Sequence, residues 1–362
     1  MYKLIFISNY YNNHTIDLIE SFNDVYNGSF LALETTGVEE YRKRIGWKKI
    51  EREFISDYQN HYQDVLEAQV VIYSGIVDKI IAKRIKSSKL TFLVTERPYK
   101  VPTTLVTYPK RWLGSLLHFK MHQCDNFYLL AIGGYVKDDM KLFNNFVNKI
   151  FKWAYFPKIL IEPSIPIKSN DLVKFVWSGR FEKLKRPQHA INILNIFVSK
   201  GINCALDMYG EGDEMQNLII PDNLVGCIRF HGFVDGWHMQ QAFKDADVLL
   251  MSSDRNEGWG AIINEAMFHY CTVIASDTVG ATTYLIKQKY NGFIYNDVCD
   301  VSNYVEVLLN NLETLKINAH NTIETLWNAK IASQRFKSVA DAILSHNEIP
   351  LFDKGPMSWD NF

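Results

Sequence analysis

The chain has 362 residues, 47% hydrophobic and 22% charged, which excludes a disordered or fibrous protein and gives length enough for two cores. No stretch approaches the roughly 18 uninterrupted apolar residues of a membrane span, and the opening "MYKLIFISNYY" lacks both the apolar length and the small-residue cleavage site of a signal peptide. A cytoplasmic protein is therefore expected. The formal charge of -1 hides an asymmetry, because residues 1–157 carry 21 Lys and Arg against 16 Asp and Glu and the remainder carry 18 against 24.

In chain order, "YKLIFIS" (2–8) is a short apolar run followed by the turn-prone "NYYNNH" and by Ile16, Ile19 and Phe22 at helical spacing, a buried strand and then a helix. Similar runs return at "AQVVIYSG" (68–75), "KLTFLVTE" (89–96) and "NFYLLAIGG" (126–134), as a parallel sheet with crossover helices requires. A proline-bearing stretch, "FPKILIEPSIPIK" (156–168), separates this series from a second one. The second has strands expected at "LVKFVWSG", "NCALDMYG", "CIRFHG", "DVLLMSS" and "CTVIASD", with helices at "RPQHAINILNIFVSKG" and "DGWHMQQAFKDA". The reading is α/β, two Rossmann-like halves in tandem.

The cysteines Cys124, Cys204, Cys227, Cys271 and Cys299 have no CxxC or other ligand spacing and read as small apolar fillers. His118 and His122 are four apart but lack a third partner nearby, so no metal site is assigned.

"NEGWGAIINEAM" (256–267) follows the expected strand "DVLLMSS", and in open α/β sheets ligands lie beyond the carboxyl ends of strands. Gly258 and Gly260 allow a sharp turn and a close approach, and the first amides of the helix that follows favour an anion, most naturally phosphate. Glu257 before that helix and Glu265 within it could each accept hydroxyl hydrogen bonds from opposite ends of one ligand, a sugar and a ribose. The bland alternative is two glutamates near a helix start, a choice that suits the dipole. "SGRFEKLKRPQ" (178–188) adds Arg180 and Lys185 after "LVKFVW", where a planar fork and a point charge could clamp a diphosphate.

Taken together, "SGR" with lysine five places after the arginine, "YGEGDE" (209–214), "FHGFVDGWHMQQAFKDADVLLMSS" (230–253), "NEGWGAIINEAM" and "VIASDTVGATTYLIKQKYNGFIY" (273–295) resemble the retaining glycosyltransferases of family 4. The resemblance covers about residues 172–335. It implies the GT-B fold, two Rossmann-like domains facing each other across a cleft: 1–157 for the acceptor, a linker at 158–171, 172–335 for a nucleotide-sugar donor, and 336–362 crossing back to the first domain.

Carried over residue by residue, the resemblance makes Arg180 and Lys185 the diphosphate ligands. Glu257 becomes the first glutamate of the Glu-x7-Glu motif, beside the donor sugar, and Glu265 the second, on the ribose. Backbone amides of Gly258, Trp259, Gly260 and Ala261 would hold sugar and phosphate, and Gly210 with Gly232, Phe233 and Val234 would line the base pocket. The family is generally metal-independent and needs no cofactor; here no Asp-x-Asp stands at a strand's carboxyl end to hold a divalent ion.

The first half departs from the family: "SNYYNNHTID" has no glycine where a glycine-rich loop is usual, and "VTERPYK" replaces a segment that often carries histidine. Asn9, Tyr10, Asn13, His14, Glu96 and Arg97 are therefore placed on the acceptor side by position alone. "YPKRWLGSLLHFKMHQ" (108–123) mixes Lys110, Arg111 and Lys120 with Trp112, Leu116, Leu117 and Phe119, either a helix docked on an anionic membrane or an ordinary helix covering the sheet.

The expected activity is transfer of a sugar from a nucleotide-diphosphate donor to a glycan or lipid-linked saccharide, in bacterial surface polysaccharide synthesis, at the inner face of the cell membrane. A nucleotide-sugar epimerase on the same fold, or a non-catalytic carbohydrate-binding or partner protein, are the alternatives. A dinucleotide dehydrogenase is disfavoured because no GxGxxG follows the first strand, and nothing points to nucleic acid.

Overall fold

The structure, a computed structural model, describes residues 2–36, 49–75, 77–99, 108–119, 122–141, 145–164 and 172–360, the side chains of residues 111, 115, 118 and 119 excepted. It divides into two compact units, Met1–Lys158 with Trp327–Phe362, and Ile159–Leu326.

In the first unit β1 (Leu4–Ser8), β2 (Phe30–Glu34), β3 (Ile55–Asp57), β4 (Val70–Ser74), β5 (Thr91–Glu96), β6 (Phe127–Ile132) and β7 (Ile150–Trp153) form a parallel sheet in the order β3-β2-β1-β4-β5-β6-β7. Its helices are α1 (Ile16–Val25), α2 (Tyr62–Glu67), α3 (Lys79–Lys86), α4 (Pro109–Phe119) and α5 (Val136–Lys141). The inner strands are buried along nearly their whole length, which is why they read as continuous apolar runs rather than alternating ones. Asp78 caps α3, accepting the amides of Ile80 and Ile81 at 2.9 and 2.8 Å.

From the last turns of α3 the buried Arg84 donates to the carbonyls of Val65, Ala68, Gln69 and Leu90 at 2.7 to 3.1 Å. A guanidinium's five N–H groups suit it to tying the ends of α2 and the start of β5 together without a carboxylate. Burial lowers its pKa to about 10, still far above neutrality, so the charge is kept.

The second unit holds β8 (Val173–Ser178), β9 (Cys204–Tyr209), β10 (Ile228–Phe230), β11 (Val248–Met251), β12 (Thr272–Ser276) and β13 (Gly292–Tyr295), parallel in the order β10-β9-β8-β11-β12-β13. Its helices are α6 (Pro187–Ser199), α7 (Gly236–Asp245), α8 (Ile262–Phe268), α9 (Thr282–Leu285) and α10 (Val305–Glu324). The core gathers Phe175, Trp177, Ile191, Leu194, Leu206, Phe293 and Leu308.

α11 (Ala329–Leu344) belongs to the first unit. Phe336 packs edge-on against Phe22 of α1 at 5.3 Å, and Ser333 and Ser21 share a hydrogen bond of 2.6 Å. Beyond it the chain pairs with the edge strand β7 through Lys152 N to Ser358 O, Met357 N to Lys152 O and Asp360 N to Ile150 O, at 2.8 to 2.9 Å. Trp359 stacks on Phe151 at 4.1 Å. An otherwise open edge is thereby covered.

Both sheets change direction in their strand order at one place, β1/β4 in the first and β8/β11 in the second. Loops beyond the carboxyl ends of strands at such a switch point form the crevice in which α/β proteins bind ligands.

Four strands of the first sheet and five of the second coincide with the expected runs, whereas β2, β3, β7 and β13 were not anticipated. Of the cysteines, Cys204 and Cys271 are buried as fillers should be, but Cys299 is exposed and corrects that expectation. Its side chain lies in the turn that opens with Asp297 rather than in a core.

Candidate donor site

The loop after β8 is held by the loop after β9. Gly179 N bonds Tyr209 O at 3.0 Å and Phe181 N bonds Glu211 O at 2.9 Å. The approach is close enough that a Cβ on Gly210, whose φ is +125°, would stand 2.0 Å from the Gly179 carbonyl oxygen, so only glycine fits. Between the anchored Gly179 and the buried Phe181, Arg180 extends outward with 69% of its side chain exposed and its Nη1 on Glu182 Oε1 at 2.7 Å.

A short 3-10 turn, Lys183–Lys185, follows and ends at Arg186 with φ +46°. This turn is sewn to the loop after β11. Asp254 N bonds Leu184 O at 2.7 Å, and Ser252 Oγ donates to Lys185 O at 2.7 Å while accepting Trp177 Nε1–H at 3.0 Å. Across the switch point Lys185 Nζ and Glu257 Oε2 form an ion pair, both side chains largely shielded. The chain has thus brought together two residues 72 positions apart that were selected from separate motifs.

Glu257 sits in a tight turn, its amide on Asp254 O at 3.0 Å and the neighbouring Asn256 amide on Asp254 Oδ1 at 2.7 Å. The Trp259 indole is buried and donates to Asn264 Oδ1 at 2.9 Å, so this tryptophan plugs the loop into the core and leaves main chain as what a ligand would meet. Gly260 has φ +90°, and a Cβ there would press Met251 Cε and Val279 Cγ1 at 2.9 Å. The amides of Gly258, Gly260 and Ala261 have no hydrogen-bond acceptor among the described residues. Orphan amides gathered at the carboxyl end of a strand are groups an anion satisfies.

Glu265 is the fourth residue of α8, one turn from its start. Burial pushes its pKa up to about 7, and the hydrogen bond from Gln240 Nε2, at 3.4 Å, opposes that rise. Among the residues expected to line a base pocket, Gly232 takes φ +68°, Phe233 is exposed, Val234 is half-buried, and the Phe233 amide reaches Glu211 Oε1 at 3.4 Å. Tyr209 and His231 stack there at 4.5 Å, with His231 Nε2 on Asp207 Oδ1 at 2.7 Å.

Sequence reasoning did not single out Glu211, Gln240, Ser252 or Asp254. Glu211, Gln240 and Ser252 lay inside quoted motifs without a role. Gln240 and Ser252 act through contacts 25 to 80 positions away, which no local pattern carries, and Asp254 joins the turn before Glu257 to Leu184.

In the first unit, Asn9 follows β1 and its Oδ1 lies beside Gly75 after β4, at that sheet's own switch point. Asn9 O accepts the Thr36 amide at 3.0 Å, and Asn13 O and His14 O accept the amides of Lys158 and Phe156 at 2.6 and 3.1 Å. Tyr10 is buried, and Glu96 ends β5, half-buried. Arg97 is committed elsewhere: 9% exposed, it bonds the buried Asp139 at 3.3 Å and lies over the Tyr135 ring at 5.0 Å.

On α4, Tyr108 just before its start, Leu113 and Leu117 are exposed, as is Lys110, while Trp112 and Leu116 are half-buried. Lys120 and the side chains of Arg111, His118 and Phe119 lie outside the described residues. No helix among the described residues is long and apolar enough to cross a membrane, and no three His, Cys, Asp or Glu side chains among them gather as a metal site.

Among curated proteins none matches this chain. Solved structures do. The Anabaena protein HepE in complex with UDP is similar with a TM-score of 0.64 at 11% identity, over 94% of this chain and 100% of that one. Sucrose-phosphate synthase from Thermosynechococcus elongatus follows with 0.62 at 12%, over 96% and 100%. The lipopolysaccharide outer core galactosyltransferase WaaB gives 0.62 at 18%, over 95% and 99%. At such identities the likeness is one of fold, and the fold is GT-B, two Rossmann-like domains. Residues 173–311, the stretch that contains Arg180, Lys185, Glu257 and Glu265, match the family model described as Glycosyl transferases group 1.

Proposed function

We propose that this protein is a retaining glycosyltransferase that moves a sugar from a nucleotide-diphosphate donor to a glycan or lipid-linked saccharide in bacterial surface polysaccharide synthesis. The observation that carries the reading is the convergence at β8/β11 of Lys185, Glu257 and the orphan amides of Gly258, Gly260 and Ala261, inside the segment that matches the family.

The role of each residue follows from its chemistry. Lys185 leaves Glu257 for the donor diphosphate, and Arg180, exposed and paired with Glu182, swings onto the same group. Two cations and main-chain N–H groups then neutralise the charge that grows on the leaving phosphate, in place of a divalent metal. A single donor aimed at such charge is worth about 3 to 4 kcal/mol of barrier. Glu257, released, accepts hydroxyls of the transferred sugar, and Glu265 accepts those of the ribose. The acceptor attacks from the face the phosphate leaves, so positioning by Asn9, Tyr10, Asn13, His14 and Glu96 matters more than a strong protein base. Exposed Leu113, Leu117 and Lys110 on α4 rest on an anionic membrane, where a lipid-linked acceptor resides.

Because HepE is solved with UDP, uridine donors come first in the test. UDP should raise the thermal midpoint without added metal and in the presence of chelator. Arg180→Ala and Lys185→Ala should each lower transfer or donor hydrolysis at least a hundredfold. Wild-type turnover in both variants would end this assignment.

A further inference from the structure

Gln240 stands on α7 and is 1% exposed, and a primary amide buried so deeply needs both its ends satisfied. Its Oε1 accepts the main-chain N–H of Leu160 at 2.7 Å, the second residue of the second unit. An N–H can only donate, so the oxygen end is fixed toward Leu160 and the nitrogen end is turned to Glu265, 3.4 Å away.

His269, one turn along from Glu265, agrees with this orientation. Its Nε2 lies 3.4 Å from the same Oε1, and burial, with Lys244 and His320 nearby, pushes its pKa down to about 4. The ring is therefore neutral and carries its proton on Nε2, which leaves Nδ1 as the atom without a partner.

We propose that Gln240 is a positioning residue that keeps Glu265 ionised and aimed for the ribose diol of the donor, and that it joins donor binding to the main chain at Leu160. The inference rests on the reading of Glu265 as the ribose-binding carboxylate. The Gln240 N–H is the one hydrogen bond that this carboxylate accepts among the described residues, and a carboxylate must be charged to accept two hydroxyls well.

The charged and titratable groups on the elements around α8 are otherwise occupied or only distantly felt. Lys316 of α10 is bound to Asp247 at 2.6 Å, His320 to Phe268 O at 2.6 Å, and Asp235 at the start of α7 to His238 at 2.8 Å. Asp245 and Lys244 end α7, and β11 and β12 bring no charged residue. Burial and Gln240 are what move the Glu265 proton.

The test is calorimetric titration of the full chain with UDP, GDP and ADP across about pH 5.5 to 9, on wild type, Gln240→Leu, Gln240→Glu and Glu265→Gln. Glu265→Gln supplies the reference curve for titration of the nucleotide's own phosphates. Relative to it, wild-type affinity for the tightest nucleotide should rise through about pH 7 and level off. Gln240→Leu should move that midpoint to higher pH and weaken binding about tenfold at neutrality. Gln240→Glu keeps an oxygen for the Leu160 N–H but sets a second carboxyl against the first, so it should move the midpoint further; it also carries the test should Gln240→Leu not fold. In the Glu265→Gln background, Gln240→Leu should cost nothing more. An unmoved midpoint in the folded Gln240 variants, or an equal loss in both backgrounds, would overturn the proposal while leaving the donor site standing. Absence of binding by all three nucleotides to wild type would remove the donor site and the proposal with it.

Discussion

In the proposed function the chemistry turns on the Lys185–Glu257 ion pair, because the two side chains that hold each other are also the two proposed to meet the donor. Both are mostly shielded, 19% and 17% exposed, so neither is solvated well enough to be replaced by water without loss. A diphosphate must compete with Glu257 for Lys185 and also overcome repulsion from that carboxylate. Removing only the charge separates the two effects. Glu257→Gln should bind a nucleoside diphosphate about tenfold more tightly, roughly 1.4 kcal/mol, while sugar transfer falls at least a hundredfold. Calorimetry beside a turnover assay reads both, and weaker binding in this variant would show that the carboxylate helps hold the diphosphate side rather than opposing it.

At the scale of elements, what positions these residues is the lacing of loops, and this is also where the sequence stops being informative. The strands and helices that flank the site, β8, α6, α7, β11 and β12, lie in apolar runs or periodic segments, visible as such. By contrast β3 has no buried residue and so shows no apolar run, β7 is interrupted by Lys152, β13 opens on Gly292, and the five residues of β2, though fully buried, look no different from a buried turn of helix. Arg180, Lys185, Glu257 and Glu265 could be chosen because each lies in a motif with its own local chemistry. Gln240 and Ser252 could not, since their roles exist only once the chain has closed. In the turn between β11 and α8, Gly260 combines φ +90° with side-chain atoms that a Cβ there would meet at 2.9 Å. Gly260→Ala should cost about 1 to 3 kcal/mol from backbone strain, read as a lowered unfolding midpoint, and should displace the amides of Gly258 and Ala261 enough to weaken nucleoside diphosphate binding. Unchanged stability would mean that the loop relaxes freely and that its geometry is not enforced.

On the scale of the whole molecule the chain builds a first core, leaves it at Lys158, builds a second, and returns at Trp327. The return completes the first sheet rather than decorating it: residues 357–360 supply the main-chain partners of β7, and Trp359 stacks on Phe151, far in sequence from the strand it covers. A substitution in that return should therefore be felt by one unit and not by the other. Trp359→Ala removes the stacked ring and opens the edge of β7, at a cost of about 2 to 3 kcal/mol, below the full value for a deeply buried aromatic because Trp359 keeps some exposure. Amide exchange should quicken across β6 and β7, whereas the β8 and β11 loops keep their protection and nucleoside diphosphate affinity stays within twofold. If that affinity instead fell in step with the first unit's stability, the donor site would depend on the first core, and the two units would have to be treated as one cooperative body.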